Sequence, residues 1–210
     1  MNTLSRVQRA LAKIVRGEEL FAVRQSPEHW DAQFKAGKWD FMLERQPNQE
    51  IIAGVCEKYA KSTPIEILDV GCGNGGLLKP LEGKKFNYAY CGIDFSQAAV
   101  DQAKALFPND IFMRADIEHP PQLKKQFDVI VLSEVLYYVD AEKVIKGYAR
   151  LLKGDGVLII SMYRSWRTWL LWFKLKKSLK ELERHTPSRS ENGKNVYWDI
   201  KVMRLRTHYE

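Results

Sequence analysis

Several features that assign a chain to a particular class are scarce in this sequence. Its 210 residues include only three cysteines and four histidines, which are too scattered to form a disulfide framework or a zinc-ligand pattern. No stretch approaches the roughly 20 apolar residues of a membrane span, and the first residues lack the apolar run of a signal peptide. We therefore expect a cytoplasmic protein without a metal site.

The composition is that of a folded chain with an uneven charge. Hydrophobic residues make up 45% and aromatic residues 11% of the sequence, which excludes disorder for its bulk. There are 33 basic and 26 acidic residues, and residues 163–210, with twelve basic and five acidic side chains, carry the whole excess of seven. No nucleic-acid-reading motif accompanies this charge, so we expect no nucleic-acid partner. The excess is typical of a solvated face or of contact with an anionic partner.

Residues 1–60 have the pattern of helices and predict an N-terminal extension. Leu4, Val7, Leu11 and Ile14 recur at the spacing of one helical face. A second segment, 27–43, contains Trp30, Phe34 and Trp39, and a third helical stretch starts at Pro47. We interpret residues 18–45 as a lid with places to bend at Glu18-Glu19 and at Gly37.

From Pro64 onward, strand and helix patterns alternate, which predicts a doubly wound α/β fold over residues 61–210. Short apolar runs predict five parallel strands: Ile65–Val70, Tyr88–Ile93, Ile111–Arg114, Phe127–Leu132 and Gly156–Met162. The segments between them predict three helices: Gly75–Leu81, Ser96–Leu106 and Ala141–Leu152. A helix over 165–177 and a terminal antiparallel hairpin, 179–187 with 195–206, complete the domain.

The most informative motif is Asp69-Val70-Gly71-Cys72-Gly73-Asn74-Gly75-Gly76, directly after the first predicted strand. Such a glycine-rich turn allows a ligand to approach the backbone closely at a helix N-terminus. The motif also satisfies G-x-G-x-x-G, so a nicotinamide dinucleotide is an alternative ligand. Asp69 argues against that alternative, because a carboxylate repels a pyrophosphate but attracts an ammonium or sulfonium group.

Two further acids follow the next two strands. Asp94 lies 25 residues beyond Asp69 and can accept hydrogen bonds from both hydroxyls of a ribose. Asp116 can accept a hydrogen bond from an exocyclic amine, while Ile117 covers the ring. Together with the glycine loop, these acids predict a site for an adenosine that carries a cationic tail.

At this point the motifs LDVGCGNGG, CGIDFS, RADIE, FDVIVLSEVLYYV and GVLIIS resemble, in order, those of class I S-adenosylmethionine-dependent methyltransferases. The resemblance covers about residues 64–206 and implies a Rossmann-like seven-stranded sheet whose last strand is antiparallel. It implies S-adenosyl-L-methionine as cofactor, with S-adenosyl-L-homocysteine as product. The cofactor-binding residues that it implies are Asp69, Gly71, Gly73, Gly75, Asp94, Phe95, Asp116, Ile117 and Ser133.

Two shorter resemblances concern the acceptor and the lid. Residues 133–139, SEVLYYV, are similar to the fourth-strand motif of nodulation-factor N-methyltransferases, which methylate an amino sugar. The segment from Trp30 to Trp39 is similar to the N-terminus of thiopurine-type S-methyltransferases, in which two aromatic residues close over the cofactor. The corresponding residues here are Trp30 and Phe34.

The acceptor is expected to be a small molecule or a glycan. Glu134, Tyr137 and Tyr138 directly follow the fourth strand, and we predict that they form the catalytic side of the site. His119 fits an exposed turn residue better than a general base. The sequence does not distinguish a hydroxyl acceptor from an amine, and an oxidoreductase or a non-catalytic adaptor with the same fold remain as alternatives.

The stretch from Trp166 to Lys180 combines tryptophans with lysines and has two interpretations. Its aromatic residues either pack on the sheet, leaving the lysines in solvent, or rest on an anionic lipid surface at the inner face of the membrane. The first interpretation is favoured by the place of this helix in the fold.

Overall fold

The computed structural model describes residues 25–191 and 194–206. The predicted helix over Leu4–Ile14 and the bend at Glu18-Glu19 lie outside the described residues. The helices are α1 (Pro27–Lys35), α2 (Pro47–Lys58), α3 (Leu78–Glu82), α4 (Gln97–Leu106), α5 (Ala141–Ala149) and α6 (Trp166–Leu175), and a 3-10 turn spans Asp40–Leu43. The strands are β1 (Ile65–Val70), β2 (Tyr88–Asp94), β3 (Ile111–Arg114), β4 (Phe127–Ser133), β5 (Leu152–Tyr163), β6 (Leu179–His185), β7 (Ser188–Glu191) and β8 (Lys194–Leu205).

The strand order β3-β2-β1-β4-β5-β8-β6 confirms the doubly wound α/β fold. Strands β1 to β5 are parallel, and β8 pairs antiparallel with both β5 and β6. The chain order reverses between β1 and β4, which opens a crevice at the carboxyl ends of the strands. The sequence predicts that Asp69, Asp94 and Asp116 lie at this end of the sheet.

One strand of the sheet was not predicted. β7 pairs with β8 in the register Ser188↔Tyr197 and adds an eighth strand beside the predicted seven. Its sequence, SRSE, is entirely polar and has no apolar alternation for a periodicity argument to detect. β7 therefore forms through its pairing with β8 and not through a local hydrophobic pattern.

The core lies on both faces of the sheet. On one face, Ile67, Val129 and Ile159 pack with buried side chains of α2, α3 and α4. On the other face, alternate residues of the same strands, such as Leu68 and Ile130, pack with α5 and α6. This alternation is expected for strands that are covered on both faces. α2 belongs to the predicted N-terminal extension, yet its buried residues contribute to the first layer. The domain boundary near residue 60 stays a prediction.

In the described part of the chain, no helix is both long and apolar enough to cross a bilayer.

Candidate functional site

A cavity of about 530 Å³ opens at the carboxyl ends of β1, β2 and β4, and nearly all of the predicted site residues line it. These residues are Trp30, Phe34, Asp69, Gly71, Gly73, Asp94, Phe95, Asp116, Ile117, Ser133, Glu134, Tyr137 and Tyr138. The volume falls within the range of small-molecule sites. The structure therefore brings together residues that are up to 108 positions apart in the sequence.

The glycine loop after β1 forms one wall of the cavity. Gly71 and Gly73 have φ angles of +78° and +54°, a region that favours glycine. The Gly71 amide donates to the carbonyl of Ile93 at 2.7 Å, which anchors the loop to the end of β2. A Cβ at Gly73 would lie 2.9 Å from Cε of Met42, so the lid segment approaches this glycine closely.

Gly75 is the predicted cofactor residue that the structure places elsewhere. It is not among the described residues that line the cavity. Its φ is +82°, and a Cβ there would lie 3.0 Å from the ring of Phe107 and 3.4 Å from that of Phe112. This glycine is therefore needed for the turn and for close packing on the core, and its role in cofactor binding stays a prediction.

Asp94 organises the loop from the end of β2. Its Oδ2 accepts a hydrogen bond from the Gly73 amide at 2.9 Å, and its Oδ1 accepts one from the Ser96 amide at 2.8 Å. Burial raises the pKa of this carboxyl group, although the backbone hydrogen bonds act in the opposite direction. A carboxylate has about four acceptor positions, so Asp94 can accept two further hydrogen bonds from a diol.

Asp69 lies at the end of β1 with 4% of its surface exposed. Tyr90 donates a hydrogen bond to its Oδ2 at 2.7 Å. Burial raises the pKa of Asp69 to about 7, with the Tyr90 hydrogen bond opposing the shift and the charge of Asp94 adding to it. A buried carboxylate beside a second carboxylate favours a cation or hydroxyl donors in the space between them.

Asp116 is more exposed than the other two acids. Its Oδ1 accepts from the Glu118 amide at 2.9 Å, and its Oδ2 lies 2.7 Å from Nδ1 of His119. Partial burial raises the pKa of Asp116, but the hydrogen bonds from His119 and Glu118 outweigh it, so the net shift is downward. His119 is itself exposed, as expected for a turn residue. Beside them, Ile117 offers a buried apolar surface for a ring.

The described part of the predicted lid, residues 25–45, covers the cavity with aromatic rings. Trp30 packs edge-on against Tyr138 with ring centroids 5.1 Å apart, and Phe34 is 5% exposed. Asp31 fixes α1 to α4, because its Oδ1 accepts from the Ser96 hydroxyl at 2.5 Å and from the Ala98 amide at 3.1 Å. The structure thus places the aromatic residues of this segment over the glycine loop.

Glu134 holds the opposite wall in place. Its φ of +60° is unusual for a residue with a side chain and is typical of strain at a functional site. Its carboxylate accepts hydrogen bonds from the Tyr137 hydroxyl at 2.7 Å, the Ser161 hydroxyl at 2.8 Å and the Tyr163 amide at 3.0 Å. Burial raises the pKa of Glu134, and burial together with Glu134 raises the pKa of Tyr137 well above its ordinary value.

Sequence reasoning missed one end of the cavity, which is lined by Gln46, Gln49, Tyr163, Arg189 and Trp198. Arg189 is a β7 residue that donates to Oε1 of Gln46. It is the only lysine or arginine among the described lining residues. These side chains come from α2, from its N-terminal flank and from strands β5, β7 and β8, so no local motif could have grouped them.

The electrostatics of the cavity separate the two ligands that the glycine motif allows. Asp69 faces the loop that would hold a dinucleotide pyrophosphate, and its carboxylate would repel that group. Asp94 fits a ribose diol in either ligand. Asp69 fits an ammonium group, and the rings of Trp30 and Phe34 fit a positively charged sulfur. The residues present therefore fit S-adenosylmethionine better than a nicotinamide dinucleotide.

Comparisons with known proteins agree with this assignment. Residues 68–160 match the family model described as a methyltransferase domain. The ubiquinone biosynthesis O-methyltransferase of Bartonella quintana (strain Toulouse) is 32% identical over 111 residues, which are 50% of this chain and 44% of that protein. The ubiquinone/menaquinone biosynthesis C-methyltransferase UbiE of Campylobacter jejuni is 28% identical over 102 residues, 46% of this chain and 43% of that protein. The matches thus span less than half the length of these curated relatives.

Among solved structures, the N-methyltransferase NodS from Bradyrhizobium japonicum WM9, in complex with S-adenosyl-L-homocysteine, superposes with a TM-score of 0.58. It is 18% identical and the match covers 76% of this chain and 89% of that one, a likeness in fold that agrees with the resemblance of residues 133–139. The resemblance to thiopurine-type enzymes stays a prediction. Residues 68–160 thus match a methyltransferase-domain model, and the described chain has the fold of solved S-adenosylmethionine-dependent methyltransferases.

Proposed function

We propose that this chain transfers the methyl group of S-adenosylmethionine to an oxygen or nitrogen atom of a small-molecule or sugar acceptor. The observation that carries the proposal is the pairing of Asp69 and Asp94 beside the backbone of Gly73 in one cavity. When bound, the cofactor supplies an electrophilic methyl group on a sulfonium. Alignment of the acceptor with that group provides most of the rate enhancement that such a displacement requires.

The cofactor half of the cavity has a role for each predicted residue. Asp94 would accept hydrogen bonds from the ribose hydroxyls, and Asp69 would hold the ammonium group. Ile117 would pack against the adenine ring near Asp116. Trp30 and Phe34 would exclude water and face the positive charge with their rings.

The acceptor half would be formed around Tyr137 and Tyr138. Because the pKa of Tyr137 is raised, its hydroxyl acts as a hydrogen-bond donor and not as a base at neutral pH. Glu134 accepts from that hydroxyl and from Ser161, so we assign it as a positioning residue for Tyr137. An amine acceptor needs only to lose its proton, and this arrangement suits it better than an unactivated hydroxyl.

Arg189 and the amides of Gln46 and Gln49 would bind polar groups of the acceptor away from the reacting atom. The relatives are named as an O-methyltransferase, a C-methyltransferase and an N-methyltransferase, so their names do not identify the acceptor atom of this chain. The nitrogen or oxygen assignment therefore depends on the polar lining of the acceptor half.

Two experiments test the proposal in sequence. Isothermal titration with S-adenosylhomocysteine should give micromolar binding, and an absence of heat at millimolar ligand contradicts the cofactor assignment. Purified protein should then transfer the labelled methyl group of S-adenosylmethionine to members of a panel of catechols, amino sugars and primary amines. Product analysis by mass spectrometry locates the methyl group, and exclusive transfer to carbon contradicts the acceptor assignment.

A further inference from the structure

Helix α6 carries large aromatic residues on its solvent-facing side. Trp166, Trp169 and Phe173 are 54%, 65% and 57% exposed, and the rings of Trp169 and Phe173 stack with centroids 6.3 Å apart. The opposite side of the helix, with Leu171, Trp172 and Leu175, is buried in the core. The helix thus packs one apolar face on the sheet, but of its aromatic residues only Trp172 belongs to that face.

The exposed aromatic residues form one stripe. At about 100° per residue, Trp166, Trp169 and Phe173 lie within roughly 60° of one another around the helix axis. Leaving this much apolar surface in water is unfavourable relative to its burial. The fold does not require these residues at these positions, since the buried side of α6 already completes the core.

Basic side chains flank the stripe, and residues 166–177 contain no acid. The guanidinium of Arg167 lies 5.4 Å from the ring of Trp166, and Nζ of Lys176 lies 5.5 Å from that of Phe173. Lys174 approaches an exposed carboxylate, that of Glu142, at 3.8 Å. Lys177 follows directly after them in the sequence. The surface therefore combines apolar rings at its centre with positive charge at its margins.

We propose that α6 docks this stripe on an anionic lipid bilayer. Tryptophan and phenylalanine are favourable at the boundary between headgroups and acyl chains, and lysine and arginine beside them attract anionic headgroups. A second copy of the chain is a poorer occupant, because it would bring a second set of basic residues against the first. The docking does not depend on the catalytic proposal.

The aromatic stripe of α6 lies close in the chain to one end of the cavity. Tyr163, three residues before α6, is 44% exposed and lines the cavity. Docking through α6 would bring this end of the cavity close to the membrane surface. An acceptor carried on a lipid would then reach Tyr137 without leaving the bilayer, a step that rests on the proposed function.

Vesicle co-sedimentation of the full chain tests the docking directly. We expect binding to vesicles of equimolar phosphatidylcholine and phosphatidylglycerol, and little binding to phosphatidylcholine alone. The triple variant W166S/W169S/F173S should lose at least about tenfold in affinity, because three partly buried aromatic contacts are removed. The triple variant R167Q/K174Q/K177Q should lose about fivefold per cation, and the loss should shrink at high salt.

The matched control is L106S/I111S, which removes two exposed apolar side chains on α4 and β3, at 46% and 53% exposure. It should bind vesicles like the parent chain, and thermal melting should confirm that every variant is folded. Absence of parent binding, or equal binding by W166S/W169S/F173S, overturns the proposal. A dimer in size-exclusion chromatography that this variant abolishes also overturns it, because the stripe would then be a self-interface. Titration with S-adenosylhomocysteine separates these outcomes from failure of the catalytic proposal.

Discussion

Asp94 has a structural role in the glycine loop and, in the proposed function, a ligand-binding role as well. Its two oxygens hold the amides of Gly73 and Ser96, and the same oxygens are available to a diol in the cavity. From the sequence alone, we would expect the replacement of Asp94 to weaken ligand binding and to leave the fold intact. The structure adds that the glycine loop and the start of α4 lose an acceptor as well.

We therefore expect two effects of Asp94→Ala. The Kd for S-adenosylhomocysteine should rise at least about tenfold, because hydrogen bonds to a charged acceptor contribute roughly 1.5–3 kcal/mol each. The free energy of unfolding should fall by about 1–3 kcal/mol, because two amides lose their partner. Calorimetric titration and denaturant unfolding measure the two effects. Asp101→Ala, on the exposed side of α4, is the control, and an unchanged Kd in Asp94→Ala would show that this carboxylate does not contact the ribose.

The raised pKa of Asp69 predicts a pH dependence of ligand binding. Its folded pKa of about 7 lies above its ordinary value of 3.8, so ionisation is disfavoured in the free protein. The cost to stability is absent below pH 3.8, grows as the pH rises, and is fully present above pH 7. A ligand ammonium reverses this cost, because it favours the ionised carboxylate.

Affinity for S-adenosylhomocysteine should therefore increase as the pH rises towards 7 and then level off, with a slope of up to about tenfold per pH unit below the pKa. Titrations between pH 5.5 and about 8.5 give the profile. Asp94 shares the cavity and also has a raised pKa, so the assignment needs the Asp69→Asn variant, which should flatten the profile. A slope that survives in this variant assigns the titration to another group.

At the scale of elements, polar contacts join the predicted lid to α4. Asp31 bonds to Ser96 and Ala98, and Nε2 of Gln102 donates to the carbonyl of Phe34 at 3.1 Å. A side chain at Gly76 would collide with the carbonyl of Met42, so the glycine loop and the 3-10 turn are in backbone contact. A ligand in the cavity would add apolar contacts to the cavity-facing sides of Trp30 and Phe34.

We expect S-adenosylhomocysteine to slow amide exchange within residues 18–45 more than in any other segment, because the ligand joins the lid to the loop. Hydrogen–deuterium exchange with mass spectrometry measures this, with α5 on the far side of the sheet as the internal reference. In the competing view these aromatic residues are permanent core, and Trp30→Ala would then lower the melting temperature of the free protein. Equal exchange with and without ligand would favour that view.

The elements that the sequence predicted are those whose signals are local. β1 and β4 are continuous apolar runs that are buried on both faces, and Ser96 caps α4 by accepting from the Ala99 amide at 3.2 Å. The end of α5 was predicted at Leu152 but lies at Ala149, because Leu152 already pairs with Phe127 in the sheet. Apolar residues at such a junction fit either element, and only the tertiary pairing decides between them.

The positions of the three acids in the site were also predictable from the sequence. Asp69, Asp94 and Asp116 lie at or just after the carboxyl ends of β1, β2 and β3, so the topology of a parallel sheet is enough to bring them to one edge. Gln46 and Arg189 meet across 143 positions because β7 pairs with β8, and no spacing encodes that contact. The end of the cavity lined by Gln46, Gln49 and Arg189 therefore had no signal in the sequence, unlike the residues that directly follow β4.

At the scale of the whole molecule, charge is divided between two surfaces. The cavity is lined by carboxylates, with Arg189 as its only lysine or arginine in the described residues, while the chain carries a net charge of +7. The excess belongs to residues 163–210, which include α6. A cationic cofactor and an anionic surface would thus be attracted to different parts of the same molecule, and salt should weaken the second interaction more than the enclosed first one.

Binding in this cavity connects the lid, the glycine loop and the ends of three strands, so it should stabilise the whole fold. At about 100 times its Kd, S-adenosylhomocysteine adds about 2.7 kcal/mol to the free energy of unfolding. For a chain of this size, the melting temperature should then rise by roughly 5–11 °C, which differential scanning fluorimetry can resolve.

Asp94→Ala should lose most of the rise at the same ligand concentration, whereas the α6 variant W166S/W169S/F173S should keep it. Reduced nicotinamide dinucleotide should cause no rise, because its pyrophosphate would lie against the carboxylate of Asp69. A larger rise with the dinucleotide than with S-adenosylhomocysteine would reverse the cofactor assignment and, with it, the proposed reaction.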